Sequence, residues 1–281
     1  MEARISVLGG DGIGPEVTLE AVKVLDSIAK RFGHDFTYVA GDVGGIAIDK
    51  TGTALPQDTM NIVMGSDAVL FGAVGGPKWD DPKNKVRPED GILGLRKSLG
   101  LYANLRPCKV YDQLIESSPL KPHLIKDVDF IIVRELTGGL YFGKPKRRWE
   151  NSRGRRAVDT LAYSEKEIER VLRVAFELAK SRKGVLHSLD KANVMESSRL
   201  WRQIAMEVAG DYPDIKLHHM LADSAAMQII TNPSIFDVIV AENTFGDILS
   251  DEAAVIGGSL GMLPSASLSS LPPKSGRRRR G

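Results

Sequence analysis

The amino-acid sequence predicts an α/β fold with a mixed, mainly parallel sheet. Short runs rich in β-forming residues alternate with longer runs of helical periodicity, the pattern of strands joined by crossover helices. Of the 281 residues, 42% are hydrophobic and 26% charged, as in ordinary globular proteins. The predicted strands are 5–8, 36–40, 68–71, 129–133 and 238–241, and the predicted helices are 15–32, 57–64, 165–182, 197–209 and 222–231.

A glycine-rich turn over residues 9–16 joins the first strand to the first helix. Pro15 suits the first turn of a helix, where its missing N–H is not needed. A Rossmann fingerprint requires G-x-G-x-x-G or G-x-G-x-x-A, and neither glycine frame here has that spacing. The fold is therefore predicted not to be a Rossmann fold. Two interpretations of the glycines stay open: a tight strand-to-helix turn, and a loop that approaches a ligand.

Residues 144–156 interrupt the alternation, because they have neither a helical nor a strand period. We expect this segment to extend away from the body of the protein. The helical pattern then resumes over 165–182, where Ile168, Val171 and Leu172 keep the spacing of a buried helix face.

The formal net charge of +2 is unevenly distributed along the chain. Residues 271–281 hold five of the 38 Lys and Arg residues and no Asp or Glu, so 33 cations face 36 anions elsewhere, a net charge of −3. The basicity therefore belongs to the last eleven residues, which we predict to form a disordered basic tail. No nucleic-acid partner is expected for the body.

Cys108 is the single cysteine, which excludes an internal disulfide and predicts a reducing compartment. Packing is the favoured interpretation of this residue over a nucleophilic role. The N-terminus lacks a cationic start followed by an apolar run, and the longest uncharged stretch, 253–273, is rich in Gly, Ser and Pro. We therefore expect a cytoplasmic protein with no membrane partner.

Three arginines at strand ends or turns, Arg96, Arg106 and Arg134, are candidates for binding a carboxylate. A guanidinium group presents a planar fork of donors that can make two parallel hydrogen bonds to a carboxylate. Arg134 is the strongest candidate, because it directly follows the apolar run 130–133, and a buried strand delivers its last residue to the functional edge of an α/β sheet. Taken alone, Arg96 and Arg106 are better explained as surface charges.

Three aspartates are candidates for binding a metal. In a helix, Asp247 and Asp251 would lie on one face because they are four residues apart. Oxygen ligands suit Mg²⁺ or Mn²⁺ rather than zinc, although a solvated acidic helix face is the alternative. Asp223 lies in an apolar segment where a charge needs a partner, or where it could cap a helix.

Lys191 and Tyr141 complete the set of candidates. A lysine beside cations can act as a base near neutrality, because charge repulsion favours its neutral form, and a tyrosine beside such cations could deliver a proton. Each is also explained singly as an ordinary surface or core residue. Together with the arginines and aspartates, they describe a site for an anionic, metal-chelating small acid that undergoes proton and electron rearrangement.

Four ordered blocks resemble the β-decarboxylating dehydrogenases, the family of isocitrate and isopropylmalate dehydrogenases. They are GGDGIGPE at 9–16, RELTGGLYFG at 134–143, DKANV at 190–194 and NTFGDILSD at 243–251, and the resemblance runs from Ile5 to about Ser270. The segment EDGILGLR at 89–96 is similar to the isopropylmalate branch of the family. Ile92 and Leu93 would offer apolar surface to an isopropyl group, whereas isocitrate needs a polar contact for its extra carboxylate.

The resemblance implies a two-domain fold of the isocitrate/isopropylmalate dehydrogenase type. It assigns 1–101 plus 254–270 to a cofactor-side first domain whose C-terminal part is missing. It assigns 102–253 to a second domain for substrate, metal and dimerisation, with an arm at about 144–160 that clasps the partner.

The resemblance also implies oxidative decarboxylation of 3-isopropylmalate to 4-methyl-2-oxopentanoate with reduction of NAD, a step of leucine biosynthesis. The substrate carboxylates would then be clamped by Arg96, Arg106 and Arg134. The metal, Mg²⁺ or Mn²⁺, would be held against the substrate by Asp223, Asp247 and Asp251. Lys191 would help remove the hydroxyl proton, and Tyr141 would supply a proton to the product.

Further residues are implied around the isopropyl group and the nicotinamide. Glu89, Ile92, Leu93 and Val194 would lie there, and the segment Gly75, Gly76, Pro77 and Lys78 matches a loop on the cofactor side. In this family Lys191, Val194 and Asp223 come from the neighbouring subunit, so the resemblance implies a homodimer with shared active sites.

Beyond Ser270 the sequence departs from the family pattern, which continues through a His-Gly-Ser-Ala-Pro-type loop that holds the adenosine end of NAD. We expect a shifted reading frame or a truncation there, with a weakened grip on the cofactor. The choice of NAD therefore rests on the isopropylmalate-like block. The alternatives are a related dehydrogenase of tartrate, malate or isocitrate, and a nonenzymatic product, which is either a catalytically inactive truncated chain or a chain whose basic end binds nucleic acid.

Overall fold

The structure is a computed structural model of the chain and describes residues 1–81 and 83–271. The chain divides into two compact units, Met1–Gly100 and Leu101–Gly281. Of the predicted basic tail, 272–281 lie outside the described residues, and Leu271 packs against the core of the second unit. No helix of the two described ranges is long and apolar enough to span a membrane.

The first unit is built on a parallel sheet of three strands with β1 in the middle. Leu8, Val43, Val63 and Leu95 form its core. Its strands are β1 (Glu2–Gly10), β2 (Asp35–Ala40) and β3 (Ala68–Ala73), and its helices are α1 (Gly14–Phe32), α2 (Gly45–Thr51), α3 (Gln57–Met64) and α4 (Glu89–Ser98).

Close packing explains the glycines of the turn between β1 and α1. Gly10 has a φ of 72°, and a Cβ there would lie 1.9 Å from the carbonyl oxygen of Ala73. A Cβ at Gly14 would lie 2.1 Å from the carbonyl oxygen of Gly9. Of the two interpretations left open by the sequence, the geometry therefore supports the tight strand-to-helix turn.

The second unit contains a six-stranded sheet in the order β11-β4-β5-β10-β8-β9. Its strands are β4 (Ala103–Lys109), β5 (Asp129–Glu135), β8 (Val185–Asp190), β9 (Lys216–Leu221), β10 (Val238–Ala241) and β11 (Ala266–Leu268). The pairs β5–β10, β10–β8 and β8–β9 are parallel, whereas β4 runs antiparallel to β5 and β11. This confirms the prediction of a mixed, mainly parallel sheet.

Helices cover both faces of this sheet and form two apolar cores. Ile168, Val171 and Leu172 of α6 belong to one core, and Phe130 and Ile239 belong to the other. The helices are α5 (Pro122–Ile125), α6 (Glu165–Lys180), α7 (Glu196–Ala209), α8 (Ala222–Thr231) and α9 (Asn243–Ile256). Helix α6 begins with a capping box between Ser164 and Glu167.

The segment without a period forms an exposed antiparallel hairpin of β6 (Arg147–Asn151) and β7 (Gly154–Val158). The guanidinium of Arg147 lies over the ring of Trp149, 5.0 Å from its centroid.

Residues 254–270 do not lie in the first unit, where the resemblance assigns them. The structure places them in the second unit, because β11 pairs with β4 and the Asn104 amide donates to Ser265 Oγ at 2.8 Å. The Asn104 amide also donates to the carbonyl oxygen of Ala266 at 3.1 Å.

Candidate active site

Arg134 lies near the end of β5, buried to 3% exposure, beside the start of α9. Strand β10 places Ala241 opposite Arg134, and α9 begins two residues later at Asn243. Gly246 in the first turn of α9 makes room for Arg134, because a Cβ there would lie 2.8 Å from its Cβ and Cγ atoms. The sequence therefore folds so that the Arg134 side chain lies against α9.

The Arg134 guanidinium is held by two side chains of α9. Its Nε donates to Asn243 Oδ1 at 2.9 Å, and its Nη1 donates to Asp247 Oδ1. Burial lowers the pKa of Arg134, and the Asp247 carboxylate opposes that shift. An arginine kept charged in so buried a position is typical of a site that binds an anion.

Arg106 reaches the same face of α9 from β4. Its Nη1 lies 2.9 Å from Asp251 Oδ1 and 2.7 Å from Ser250 Oγ, and its Nη2 lies 3.5 Å from Asp247 Oδ1. Its Nε donates to Asn104 Oδ1 at 2.9 Å. Asp247 and Asp251 thus share one helix face, as their spacing predicts, and two guanidinium groups balance their charge.

Tyr141 joins this cluster from the short turn Gly139–Tyr141 that follows β5. Its hydroxyl donates to Asp247 Oδ2 at 3.0 Å, and the Arg134 guanidinium lies 5.7 Å from the centroid of its ring. Burial raises the pKa of Tyr141, and so do the hydrogen bond and the charge of Asp247. The phenol is therefore protonated at neutral pH and able to donate.

Lys191 and Asp223 form an ion pair with each other. They follow the neighbouring parallel strands β8 and β9, and Lys191 Nζ lies 2.8 Å from Asp223 Oδ2. The hydrogen bond from Lys191 lowers the pKa of Asp223. Val194, close by in sequence, is 66% exposed.

A metal site with all three predicted aspartates does not form within the described part of one chain, where no group of three or more His, Cys, Asp or Glu residues could hold an ion. Asp247 and Asp251 are oxygen donors on one helix face, which suits Mg²⁺ or Mn²⁺. Asp223 is engaged by Lys191 instead. The donor chemistry of these two carboxylates fits a hard divalent cation.

The remaining predicted residues lie in the first unit on and before α4. Arg96, Ile92 and Leu93 are half-buried on α4, and Glu89, the first residue of the helix, is exposed. Gly75 has a φ of 105°, and a Cβ there would lie 3.4 Å from Glu89 Oε1.

Asp49 of α2 binds two side chains of the turn after Gly75. Lys78 Nζ lies 2.5 Å from Asp49 Oδ2, and Trp79 Nε1 donates to Asp49 Oδ1 at 3.3 Å. The ring of Trp79 packs on Gly45, where a Cβ would lie 2.4 Å from the ring. Gly76 and Pro77 therefore lie between Gly75 and Lys78, which is bound to Asp49.

Asp11 organises this region and was not singled out from the sequence. It is 4% exposed and accepts the backbone N–H groups of Gly45, Ile46 and Gly75 at 2.7, 2.7 and 2.9 Å. The one signal for it was a carboxylate set among glycines in a turn, where buried acids commonly accept backbone hydrogen bonds. Asn104 and Asn243, which orient the arginines, were also missed because amides carry no charge signal.

Comparison with known proteins agrees with this geometry. Residues 4–276 match the profile of a family described as isocitrate/isopropylmalate dehydrogenase. The chain is 60% identical over 270 residues to a 3-isopropylmalate dehydrogenase of Geobacillus kaustophilus, covering 96% of this chain and 73% of the relative.

Two solved structures are similar to the chain. Isocitrate dehydrogenase of Methylococcus capsulatus matches with a TM-score of 0.81 and 31% identity, over 94% of this chain and 74% of the other. A protein of Thermus thermophilus matches with a TM-score of 0.79 and 30% identity. The match covers 94% of this chain and spans half, 50%, of the Thermus chain.

Proposed function

The chain belongs to the isocitrate/isopropylmalate dehydrogenase family, and we propose that it catalyses oxidative decarboxylation of 3-isopropylmalate. The substrate hydroxyl carbon would pass a hydride to NAD, and the resulting β-keto acid would lose CO₂, which gives 4-methyl-2-oxopentanoate, CO₂ and NADH. The observation that carries the proposal is the meeting of Arg106, Arg134 and Tyr141 on Asp247. This cluster combines carboxylate binders, a metal-type ligand and a proton donor.

Arg106 and Arg134 bind the substrate carboxylates in this proposal, and the resemblance gives Arg96 the same role. The Arg106 guanidinium is paired with Asp251, and the Arg134 guanidinium is paired with Asp247. A dicarboxylate substrate offers equivalent anionic partners, so both arginines can exchange ion pairs without losing a counter-charge.

Asp247 and Asp251, with Asp223 of a second copy, would hold Mg²⁺ or Mn²⁺. When bound, the cation supplies Lewis-acid stabilisation of negative charge on the substrate oxygen atoms. Lys191 of the second copy takes up the hydroxyl proton, and Tyr141 gives a proton to the carbon that lost CO₂. A homodimer is therefore part of the proposal, with the basic hairpin of β6 and β7 as the arm between copies.

Further residues that the resemblance implies would give cofactor and side-chain specificity. Ile92 and Leu93 of α4, together with Val194 of the second copy, offer apolar contact to the isopropyl group. Gly75, Gly76, Pro77, Lys78 and Glu89 would lie along NAD.

The test is turnover by the purified chain with NAD and Mg²⁺. NADH formation and 4-methyl-2-oxopentanoate should both appear with 3-isopropylmalate, and tartrate, malate and isocitrate should react far more slowly. Arg134→Lys should lower kcat/KM by about 100-fold or more, because lysine cannot make the paired hydrogen bonds of a guanidinium. Preferred turnover of another hydroxy acid, or equal turnover by the variant, would refute the proposal.

A further inference from the structure

We propose that Asn243 is a positioning residue whose single amide fixes both the Arg134 guanidinium and the segment that carries Tyr141. The inference rests on the proposed function, in which Arg134 binds substrate and Tyr141 gives up a proton. Asn243 itself touches neither reacting atom in this proposal and acts through the two groups that it holds.

Both ends of the Asn243 amide are used. Its Oδ1 accepts from Arg134 Nε at 2.9 Å, and its Nδ2 donates to the carbonyl oxygen of Gly138 at 3.1 Å. Only this orientation of the amide satisfies both partners, because a guanidinium has no acceptor and a carbonyl has no donor. The side chain is 1% exposed, so water cannot replace either bond.

The bond to Nε matters for how Arg134 can bind substrate. A guanidinium grips a carboxylate best through two parallel N–H groups, and its plane must be fixed for that fork to point correctly. Asn243 occupies Nε, and Nη1 donates to Asp247 Oδ1, so a substrate carboxylate would bind the Nη1 and Nη2 fork by replacing that ion pair. On the other side, Gly246 admits the Arg134 stem against α9, so the side chain has little room to rotate.

The bond to Gly138 fixes the start of the turn that leads to Tyr141. Gly138 and Gly139 pack directly on the ring of Tyr163, where a Cβ at Gly138 would lie 2.4 Å from Cε1. One amide thus sets the distance between the substrate clamp on β5 and the proton donor in the following turn.

A buried hydrogen-bond network also fixes the backbone of Asn243. Its backbone N–H donates to Tyr163 Oη at 2.9 Å, and Tyr163 Oη donates to Glu242 Oε2 at 3.2 Å. Glu242 also caps α9 by accepting the N–H of Phe245 at 2.8 Å. Burial raises the pKa of Tyr163, as do the nearby charges of Glu135 and Glu242, so the phenol keeps the proton that it donates.

The kinetic test compares two substitutions that remove different halves of the amide. Asn243→Ala removes both bonds and should raise KM for 3-isopropylmalate and lower kcat, with about a 100-fold loss in kcat/KM and an NAD KM within about threefold of the parent. Asn243→Asp keeps an acceptor for Arg134 and loses the donor to Gly138. It should mainly lower kcat and shift the pH profile of kcat, while KM changes less than in the Ala variant.

The matched control is Ser188→Ala, which removes the buried hydrogen bond from Trp201 Nε1 to Ser188 Oγ in the same unit. The Trp201 ring packs edge-on against Tyr163 at 5.9 Å, so this control disturbs the surroundings of the cluster while leaving every hydrogen bond of Asn243 in place. It should lower the unfolding temperature without changing either KM. If Asn243→Ala loses stability as the control does and keeps parental KM and kcat, Asn243 is merely structural and the proposal fails.

A second readout does not depend on turnover. In ¹⁵N NMR spectra of the whole chain, the Arg134 Nε–H resonance, assigned by its loss in Arg134→Lys, should be protected from exchange with water. That protection should disappear in Asn243→Ala and persist in Ser188→Ala. If the Arg134 Nε–H resonance stays protected in Asn243→Ala, the positioning role is overturned. If the parent protein shows a protected resonance that is lost in Asn243→Ala but does not turn over 3-isopropylmalate, only the proposed reaction is refuted.

Discussion

Lys191 Nζ lies 2.8 Å from the Asp223 carboxylate, so the proposed base and the third proposed metal ligand neutralise each other within one chain. No metal-binding group of three forms in the described part of the chain, and Asp247 is bound by Arg134 and Tyr141 instead. In the proposed homodimer these two clusters would be half-sites, and one half-site of each copy would meet the other half-site of its partner.

This arrangement predicts complementation between inactive variants. Lys191→Met and Asp247→Asn should each abolish turnover when alone. Co-expressed and refolded together, they should recover about a quarter of parental activity, because half of the random dimers are mixed and each mixed dimer has one intact site. The same two proteins mixed without subunit exchange should stay inactive, and failure of the refolded mixture to recover activity would count against shared sites.

Asp251 is predicted to contribute to metal affinity more than its helix neighbour Glu252. Asp251 shares the α9 face of Asp247 and is 65% exposed, so its oxygen atoms are accessible once Arg106 turns to substrate. Asp251→Asn should weaken Mn²⁺ binding, followed by electron paramagnetic resonance with 3-isopropylmalate present, by at least about tenfold. Glu252→Gln serves as the matched control and should bind Mn²⁺ as the parent does. Equal affinities in both variants would remove Asp251 from the ligand set.

The sequence predicted strands with alternating apolar and polar residues or with a continuous apolar run. It missed strands that carry buried polar residues. Strand β8 contains His187 and Ser188, both buried, and β4 contains Pro107, which lacks an N–H for the sheet. These residues break the expected pattern. Ser188 is tolerated because a partner on another element satisfies it, since Trp201 Nε1 donates to its hydroxyl. Such partners lie far apart in sequence and are invisible to a local pattern.

In the candidate site, too, some residues could be placed from the sequence pattern and others could not. Charged residues with helical spacing, such as Asp247 and Asp251, could be placed on one face before the fold was known. The neutral amides of Asn104 and Asn243 could not, because an amide carries no charge signal. Asn243 also meets Arg134 only through the fold, since the two residues are 109 positions apart in the chain. The pairing of β11 with β4 is likewise a long-range contact that a local pattern does not show.

Cys108 should be inert in the native protein. Its thiol is buried and donates to the carbonyl oxygen of Ala253 at 3.3 Å, and burial raises its pKa to about 12. A thiol reagent such as DTNB should therefore react only after unfolding in denaturant. Cys108→Ala should keep the parental KM and kcat and lose about 1–3 kcal/mol of unfolding free energy through the small cavity. Rapid labelling of the folded chain would contradict this expectation.

His187 should make the second unit sensitive to acid. Its ring is 5% exposed, stacks on His218 at 5.0 Å and meets Phe236 edge-on at 4.9 Å. Burial lowers its pKa from 6.5 to about 4, His218 adds to that shift, and Asp237 opposes it. The folded state thus binds fewer protons than the unfolded state between these values, and stability falls as the pH drops from 6.5 toward 4, by up to about 3 kcal/mol.

The measurement for His187 is urea unfolding at pH 7.5 and pH 4.5 of the parent and of His187→Leu, which keeps an apolar side chain of similar size. The variant should lose less stability on acidification than the parent does. His34, which is half-buried in the first unit, provides the control, because His34→Leu should leave the acid-induced loss of the second unit unchanged. An equal loss in the parent and in His187→Leu would show that other groups cause the acid sensitivity.

Asp11 is predicted to set the affinity for NAD without touching the substrate. It accepts three backbone N–H groups and ties Gly75 to the start of α2, and Gly75 lies against Glu89 in the proposed cofactor loop. Asp11→Ala leaves one buried and two partly buried donors without this acceptor and should raise KM for NAD by about tenfold or more, with a cost of several kcal/mol in stability.

Asp11→Asn separates the two effects, since the amide oxygen can still accept from one or two of these donors but its NH₂ group would oppose the third. Its NAD KM should fall between those of the parent and Asp11→Ala, while KM for 3-isopropylmalate stays near the parental value in all three proteins. Asp26→Asn on the exposed side of α1 is the matched control and should keep both KM values. A parallel rise of both KM values in Asp11→Asn would show that Asp11 supports the fold as a whole rather than the cofactor loop.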